Sequence, residues 1–443
     1  MTEKIVITVW IGEHPFPDYA DPIMAAAAAF NQAHPEYHVA IEGHDYRAIP
    51  AEVVDAVEQG NPPDLVEYYF TATQTARDTL GSDGAPLFTS IEKAIAGRTE
   101  ILGEPVLIDD IVQAARGYYT HQGDQTSLPV TASTILLYTN TNLLETAGMS
   151  EVPSTWDEIE AACKAVAGVH SGPSHGITWP VNGWFFQQAL AQQGALLADQ
   201  DNGHAGRATT VDLASPAMLA YVEWWRRLEH EGHYQHSGAQ DDWVARMEAF
   251  AGKQTAFLLC SSKLTPELFF MGEEAGFDVQ VSWLPHNDMV PSAGTMVAGQ
   301  SYWLADGLDE AKQDGALAFT QYLINPDNAI AWHKAHGVLP ITQTSFDRLT
   351  AEGWFEEHPE HRVAYDQLAA STGSPAALGA QLGAFTEIDA VMTQAMTDVM
   401  ARNAEPVARF TSATTKAQRL LDAYNTHCVG GPTRQSPNQL TVR

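Results

Sequence analysis

The chain has 443 residues, 45% hydrophobic and 9% aromatic, which is apolar material for more than one core. Its 23 basic and 55 acidic side chains give a formal net charge of −32, a field that repels nucleic acid and anionic membrane and excludes both as partners. The three cysteines have no metal-type spacing: Cys163 and Cys260 read as small core residues, and Cys428 as a thiol in the tail.

From the N-terminus, Ile5 to Ile11 is a buried strand by its length and β-branching. It is entered from Met1-Thr2-Glu3-Lys4 with no signal peptide, so either a cytoplasmic protein or a trimmed export signal is expected. No run is long and apolar enough for a transmembrane helix. The strand leads into Gly12-Glu13-His14-Pro15, at the sheet edge where ligands sit in open α/β folds. Asp21 to Ala33 follows as a helix, Tyr37 to Glu42 as a strand ending in Gly43-His44-Asp45-Tyr46, and Ile49 to Gln59 as a second helix. Pro62-Pro63 punctuates before a third strand, Asp64 to Phe70. Strands alternating with helices predict βαβ units and a parallel sheet.

The stretch from Leu128 to Gly148 organises the rest. Its first half is β-branched and opens at Pro129; its second half, Thr141 to Ala147, is helical and stops at Gly148. It reads as a crossing between two lobes that presents the Ser133 and Thr134 hydroxyls in a cleft, the plainer alternative being bonds to neighbouring strands. Ser154-Thr155-Trp156-Asp157-Glu158 is a capping box for a helix through Ala167. Helices are expected from Trp184 to Gln193, Ala217 to His230 and Trp243 to Phe250; strands at Gly176 to Trp179, Thr255 to Cys260, Phe277 to Leu284 and Gly299 to Leu304. Two helices, Leu308 to Ile324 and Pro326 to His336, break at Asn325-Pro326, and Gly337 to Thr342 turns the chain. The remainder through Asn425 is mostly helical, and from Val429 the composition is that of a disordered tail.

No catalytic constellation emerges. Gly172-Pro173-Ser174-His175-Gly176 has the letters of a nucleophile elbow, but that chemistry needs a strand before it and a helix after it, and here a loop enters a strand. Glu229 to His236 concentrates metal-capable groups, yet Gly232 ends the helix between His230 and His233. There is no Gly-rich phosphate loop and no dinucleotide fingerprint, so no enzyme, cofactor or metal is expected. Trp179, Trp184, Phe185 and Phe186 cluster around Asn182-Gly183, and Tyr302 and Trp303 follow Gly299. Flat rings in a cleft suit the apolar faces of sugars, although such residues also fill cores.

Taken together these segments resemble extracytoplasmic solute-binding proteins of carbohydrate-type ABC importers, most of all the Ugp-type binders of glycerol-3-phosphate and glycerophosphodiesters. The markers are Gly60-Asn61-Pro62-Pro63-Asp64, Leu137-Tyr138-Thr139-Asn140 with Ala147-Gly148 and Thr155-Trp156, Phe250-Ala251-Gly252-Lys253, and Asn325-Pro326-Asp327-Asn328-Ala329 through Gly337-Val338-Leu339-Pro340-Ile341-Thr342 to Gly353-Trp354-Phe355. The resemblance implies an α/β, periplasmic-binding-protein-like fold of type II: two α/β lobes joined by a hinge with three chain crossings, near residues 130, 297 and 339. Lobe 1 is then residues 1–130 plus 298–338, lobe 2 residues 131–297 plus 339–428, and 429–443 the tail.

It also implies a pocket containing Tyr46, Ser133, Trp184, Ser261 and Gly299, all matching in type. Glu13, His14, Asp45, Tyr302 and Trp303 are candidates from their loops. Elsewhere the chain departs from the Ugp pattern: Phe70 stands for an acidic residue, Val181 for a tryptophan, Val338 for a tyrosine, and Gln381 for the arginine facing phosphate, with Arg362 or Lys263 as possible replacements. The implied function is capture of a neutral sugar, glycoside or polyol for the permease subunits of an ABC importer. A phosphate-bearing solute is the alternative, and a hydrolase using Ser174 or a metal enzyme using His230 and His233 the alternative from another class. A monomer is expected, in the periplasm or as a cell-surface lipoprotein.

Overall fold

The computed structural model describes residues 4–14 and 20–429 of the chain. Apart from Val429, the predicted tail lies outside the described residues, as does Pro15 of the first loop.

Two β-sheets form because one extended segment belongs to both. Leu128–Ser133 pairs antiparallel with Ala298–Ala305; past Thr134, Ile135–Asn140 pairs antiparallel with Phe257–Ser261 on one side and Val279–Trp283 on the other. Both strands are buried along their whole length, as the apolar, β-branched run requires. The hinge residue Thr134 is fully buried; its hydroxyl donates to the Met296 carbonyl and accepts from the Gln367 amide at 3.1 Å. Of the two hydroxyls expected in the cleft, this one holds the joint together instead.

The first sheet has the order Tyr37–Asp45, Ile5–Glu13, Leu65–Tyr69, Ala298–Ala305, Phe88–Thr89. Its first three strands are parallel, and Ala298–Ala305 returns antiparallel. Helices Asp21–Ala33 and Glu310–Ile324 cover one face, with Phe30 edge-on to Phe319 at 5.5 Å. Helix Ile49–Glu58 covers the other, where Ile49, Val53 and Val57 pack with Val66 and Trp303. The second sheet runs Ile177–Thr178, Phe257–Ser261, Ile135–Asn140, Val279–Trp283. Over it Trp224 of helix Pro216–His230 is stacked between Trp156 and Trp179, at 5.0 and 5.6 Å. The capping box closes as the sequence predicts, Thr155 and Glu158 each satisfying the other's backbone.

The last third is helical and ends in a long helix, Pro406–Val429. Cys428 lies on that helix and is buried, so it is a core thiol and not a tail one. Burial also pushes the Cys260 thiol up to about 12, which removes it from thiolate chemistry. Among the described residues no helix is long and apolar enough to cross a membrane.

At Gly299 strands Leu128–Ser133 and Ala298–Ala305 run too close for a side chain: a Cβ there would lie 1.9 Å from the Thr131 carbonyl oxygen. Gly299→Ala is expected to force the pairing apart and cost about 1–3 kcal/mol, read as a lower urea midpoint at unchanged slope. An unaltered midpoint would show that the strands yield without strain.

Candidate functional site

The parallel strands of the first sheet end at one edge, and the residue after each end faces the gap between the sheets. His14 follows Ile5–Glu13, Tyr46 and Arg47 follow Tyr37–Asp45, and Phe70 and Thr71 follow Leu65–Tyr69. From the second sheet come Ser261, which ends its strand, and Lys263; from the shared strands come Ser133, Gly299 and Gln300. Trp184 at the start of helix Gly183–Gln192, Asp241 and Trp243 close the far wall with Thr386, Asp389 and Thr393 of helix Phe385–Arg402. Together they enclose a cavity of about 300 Å³.

Seven of the candidates named from sequence therefore line one cavity: His14, Tyr46, Phe70, Ser133, Trp184, Ser261 and Gly299. Glu13, Asp45, Val181, Tyr302, Trp303, Val338 and Gln381 do not line it, and each has a local reason. Strand alternation turns the Glu13 carboxylate back over Gly43, where a Cβ would meet it at 2.2 Å. Asp45 accepts from the backbone N–H groups of Arg47 at 2.8 Å and Ala48 at 3.2 Å, tying the turn that aims Tyr46. Tyr302 and Trp303 point to opposite faces of their strand, one into each core that the sheet separates. Val181 is core, and its carbonyl receives the Asp241 N–H at 3.2 Å. Val338 is buried beside His333, which bonds its carbonyl at 2.9 Å. The Gln381 amide donates to the Tyr118 carbonyl, away from any solute. Arg362 is tied to Asp366 at the surface, whereas Lys263 is inside the cavity.

Electrostatically the cavity has two different ends. Near the shared strands, Lys263 Nζ donates to Gln300 Oε1 at 3.1 Å, and the Gln300 amide lies 2.7 Å from His14 Nε2. Burial lowers the Lys263 ammonium to about 8, against the pull of the Glu67 carboxylate. Burial, Lys263 and Arg47 likewise hold His14 well below its usual value, so its ring is neutral and can accept from the amide. That ring stacks on Tyr46 at 4.2 Å and meets the edge of Tyr69 at 5.1 Å.

At the far wall Asp389 accepts from Gln187 Nε2 at 2.8 Å and packs over Gly183, where any Cβ would lie 2.1 Å from its Oδ1. Burial and then the Asp241 carboxylate raise Asp389 to about 7, although Gln187, Arg47 and the Gly183 N–H oppose them. Asp241 itself pairs with Arg47 at 2.8 Å and accepts from Asn182 at 2.5 Å, and Asn182 caps the helix carrying Trp184. This chain of contacts closes the cleft from the first sheet's edge to the second lobe. A second closure lies outside the cavity: Asp78, almost fully buried, accepts from Arg207 and from Tyr424 at 2.9 Å.

The alternative chemistries find no support in placement. Ser174 sits on a turn with only its neighbour His175, at 3.0 Å, and His230 ends its helix while His233 approaches Glu231. Among the described residues no group of three metal-capable side chains comes together.

The sequence reading missed Arg47, Asp241, Trp243, Gln300 and the helix residues Thr386, Asp389 and Thr393. The last three had a legible signal: small or polar residues at i, i+3 and i+7, flanking the buried stripe Phe385, Ile388 and Met392.

A family model for bacterial extracellular solute-binding proteins matches residues 25–363. The sn-glycerol-3-phosphate-binding periplasmic protein UgpB of Yersinia pestis bv. Antiqua is 24% identical over 406 residues, 90% of this chain and 88% of that protein. Among solved structures, the cyclic α-maltosyl-1,6-maltose binding protein of Arthrobacter globiformis superposes with TM-score 0.73 at 17% identity, covering 95% of this chain and 99% of that one. UgpB of Mycobacterium tuberculosis in complex with glycerophosphocholine gives 0.71 at 21% identity with the same coverage.

Asp389 supplies a pH signature. Its folded value lies above that of an unfolded aspartate, near 3.9, so the folded chain holds the extra proton and stability falls as pH rises between about 4 and 7. Asp389→Asn should shrink the drop in melting temperature between pH 5 and pH 8. An unchanged drop would mean that Gln187 and Gly183 already compensate the charge.

Proposed function

Since the chain belongs to the bacterial extracellular solute-binding proteins and serves as the substrate-binding component of an ABC importer, we propose that its solute is a sugar, glycoside or polyol held between the lobes. The observation that carries this reading is the lining: Tyr46, Phe70, Trp184 and Trp243 offer ring faces, while Ser133, Ser261, Thr71, Thr386, Asn182 and Gln240 offer hydroxyls and amides. Rings take the apolar faces of a polyhydroxylated solute, and short neutral polar groups fix its hydroxyls. At about 300 Å³ the cavity suits one or two sugar rings better than a long oligosaccharide.

The absence of arginine at Gln381 cannot support neutrality, because that side chain is elsewhere. The support comes from the state of the cations inside: Arg47 is committed to Asp241, and Lys263 is shared with Gln300 and balanced by Glu67. A phosphate ester is the second reading, favoured by Lys263 and by the glycerol-3-phosphate named for the Yersinia relative. The moving bodies are residues 1–130 plus 298–338 and 131–297 plus 339–428, hinged at Thr134 and its neighbours, and the solute closes them by touching both. Delivery goes to the permease of the importer, from the extracytoplasmic side, with one copy of the chain per solute.

A thermal-shift panel tests the solute class, since a ligand at one hundred times its dissociation constant adds roughly 2.7 kcal/mol. Sugars or polyols should raise the melting temperature and glycerol-3-phosphate should not; the reverse pattern would replace this reading by the phosphate one. Trp184→Ala should weaken binding by about 10-fold or more while folding is retained, as loss of a stacking wall implies. Arg47→Ala should speed solute release several-fold, and the effect should shrink in high salt because the pair is half-exposed.

A further inference from the structure

We propose that the solute carries a protonated amine, which the Asp389 carboxylate receives at the wall formed by Trp184 and Trp243. This rests on the sugar, glycoside or polyol reading above and narrows it to an amino-substituted member of that class.

The argument begins with what Asp389 lacks. It lines the cavity and is half-buried, so a solute can reach it. The partners of its side chain among the described residues are the neutral donors Gln187 and Gly183, and no cation among them lies within ion-pairing distance. The nearest one acting on it, Arg47, is drawn 2.8 Å from Asp241 instead. A carboxylate placed in a desolvated wall beside a second carboxylate is costly unless it holds a proton or a positive charge joins it. The chain nevertheless makes room for it: Gly183 has no Cβ where the carboxylate sits, and its N–H, at the helix start that Asn182 caps, donates to the acid.

The surroundings also select the kind of cation. Trp184 and Trp243, with ring centres 6.3 Å apart, give the wall the flat π surfaces over which an ammonium is stabilised. The hydrogen-bonding carboxylate favours a group with N–H donors over a fully alkylated one. A metal ion is poorly served, because Asp389 and Asp241 form no larger cluster of ligating side chains. Of the two cations that line the cavity, Arg47 is paired with Asp241, and Lys263 acts on His14 and Glu67 and not on Asp389.

Proton accounting gives a readout that needs no variant. In the empty cavity Asp389, raised to about 7, is mostly protonated at pH 6, whereas an aliphatic amine is fully protonated. Pairing requires the carboxylate to ionise, so binding releases close to one proton per solute; a neutral solute releases none.

The test is isothermal titration at pH 6, in two buffers of different ionisation enthalpy, of matched sets of mono- and disaccharides and polyols. Each set contains the hydroxyl parent, the amino form and the uncharged N-acetyl form. The expected result is an amino form at least about 10-fold tighter than its parent, with proton release, and loss of both the preference and the proton release in Asp389→Asn. If parents bind and their amino forms bind no tighter and release no proton, this inference is overturned and the sugar reading stands. If no member of any set binds, the sugar reading fails and takes this one with it. Equal preference in Asp389→Asn and wild type would also overturn the assignment to Asp389.

Discussion

Everything in the architecture depends on one continuous extended segment, residues 128–140, that hydrogen-bonds first into one sheet and then into another. A strand buried on both faces cannot shift register without moving polar backbone out of its ladder, so the two sheets are fixed in sequence by a single residue, Thr134. Its hydroxyl and the Gln367 and Gln188 amides around it satisfy the polar groups at the changeover. The joint is thus narrow and fully bonded, and the space it leaves at the sheet edges becomes the cleft.

Within that cleft, position is set by strand ends and chemistry by what the ends present. Neutral His14, stacked on Tyr46 and bonded to Gln300, makes a rigid floor without a charge. Opposite, Gly183 and Asn182 shape a helix start that accepts a carboxylate from a helix two hundred residues away in sequence. Two ends of opposite character in one enclosure orient a guest as well as hold it, which is what delivery to a transporter in one register requires.

Much of this was legible in the sequence where local physics decides. Helix Pro326–His336 has its predicted limits because Asn325 caps it, Pro326 fits its first turn and Gly337 takes the positive φ that ends it. His14 could be named because a parallel strand announces its own C-terminal edge; Tyr46 and Phe70 were named through the family resemblance and stand at the same kind of edge. Glu13 and Asp45 fell one residue short of that edge, and a period of two sends such side chains elsewhere. Tyr302 and Trp303 failed differently: aromatic residues in a strand between two covered faces are core, and only the second covering helix, Ile49–Glu58, reveals it. Gln381 was misplaced because the glycine-containing turn before helix Phe385–Arg402 offers no periodic pattern from which to count, whereas Asp389 shares a legible helix face with Thr386 and Thr393 that nothing in the sequence ties to the cleft.

Two of the contacts that bind one lobe to the other differ in how well water can replace them. At one rim the Arg47 and Asp241 side chains are 46% and 34% exposed; at the other, Asp78 is 3% exposed and receives Arg207 and Tyr424 together. Separating the second set would strand a carboxylate in a dry cleft, whereas the first exchanges its bonds for water at little expense. Parting the cleft is accordingly cheaper at the Arg47 rim than at Asp78, as a book yields at its fore-edge before its spine. Arg47 thus stands at the looser edge of the cleft, and the C-terminal helix that carries Tyr424 lies along the tighter one.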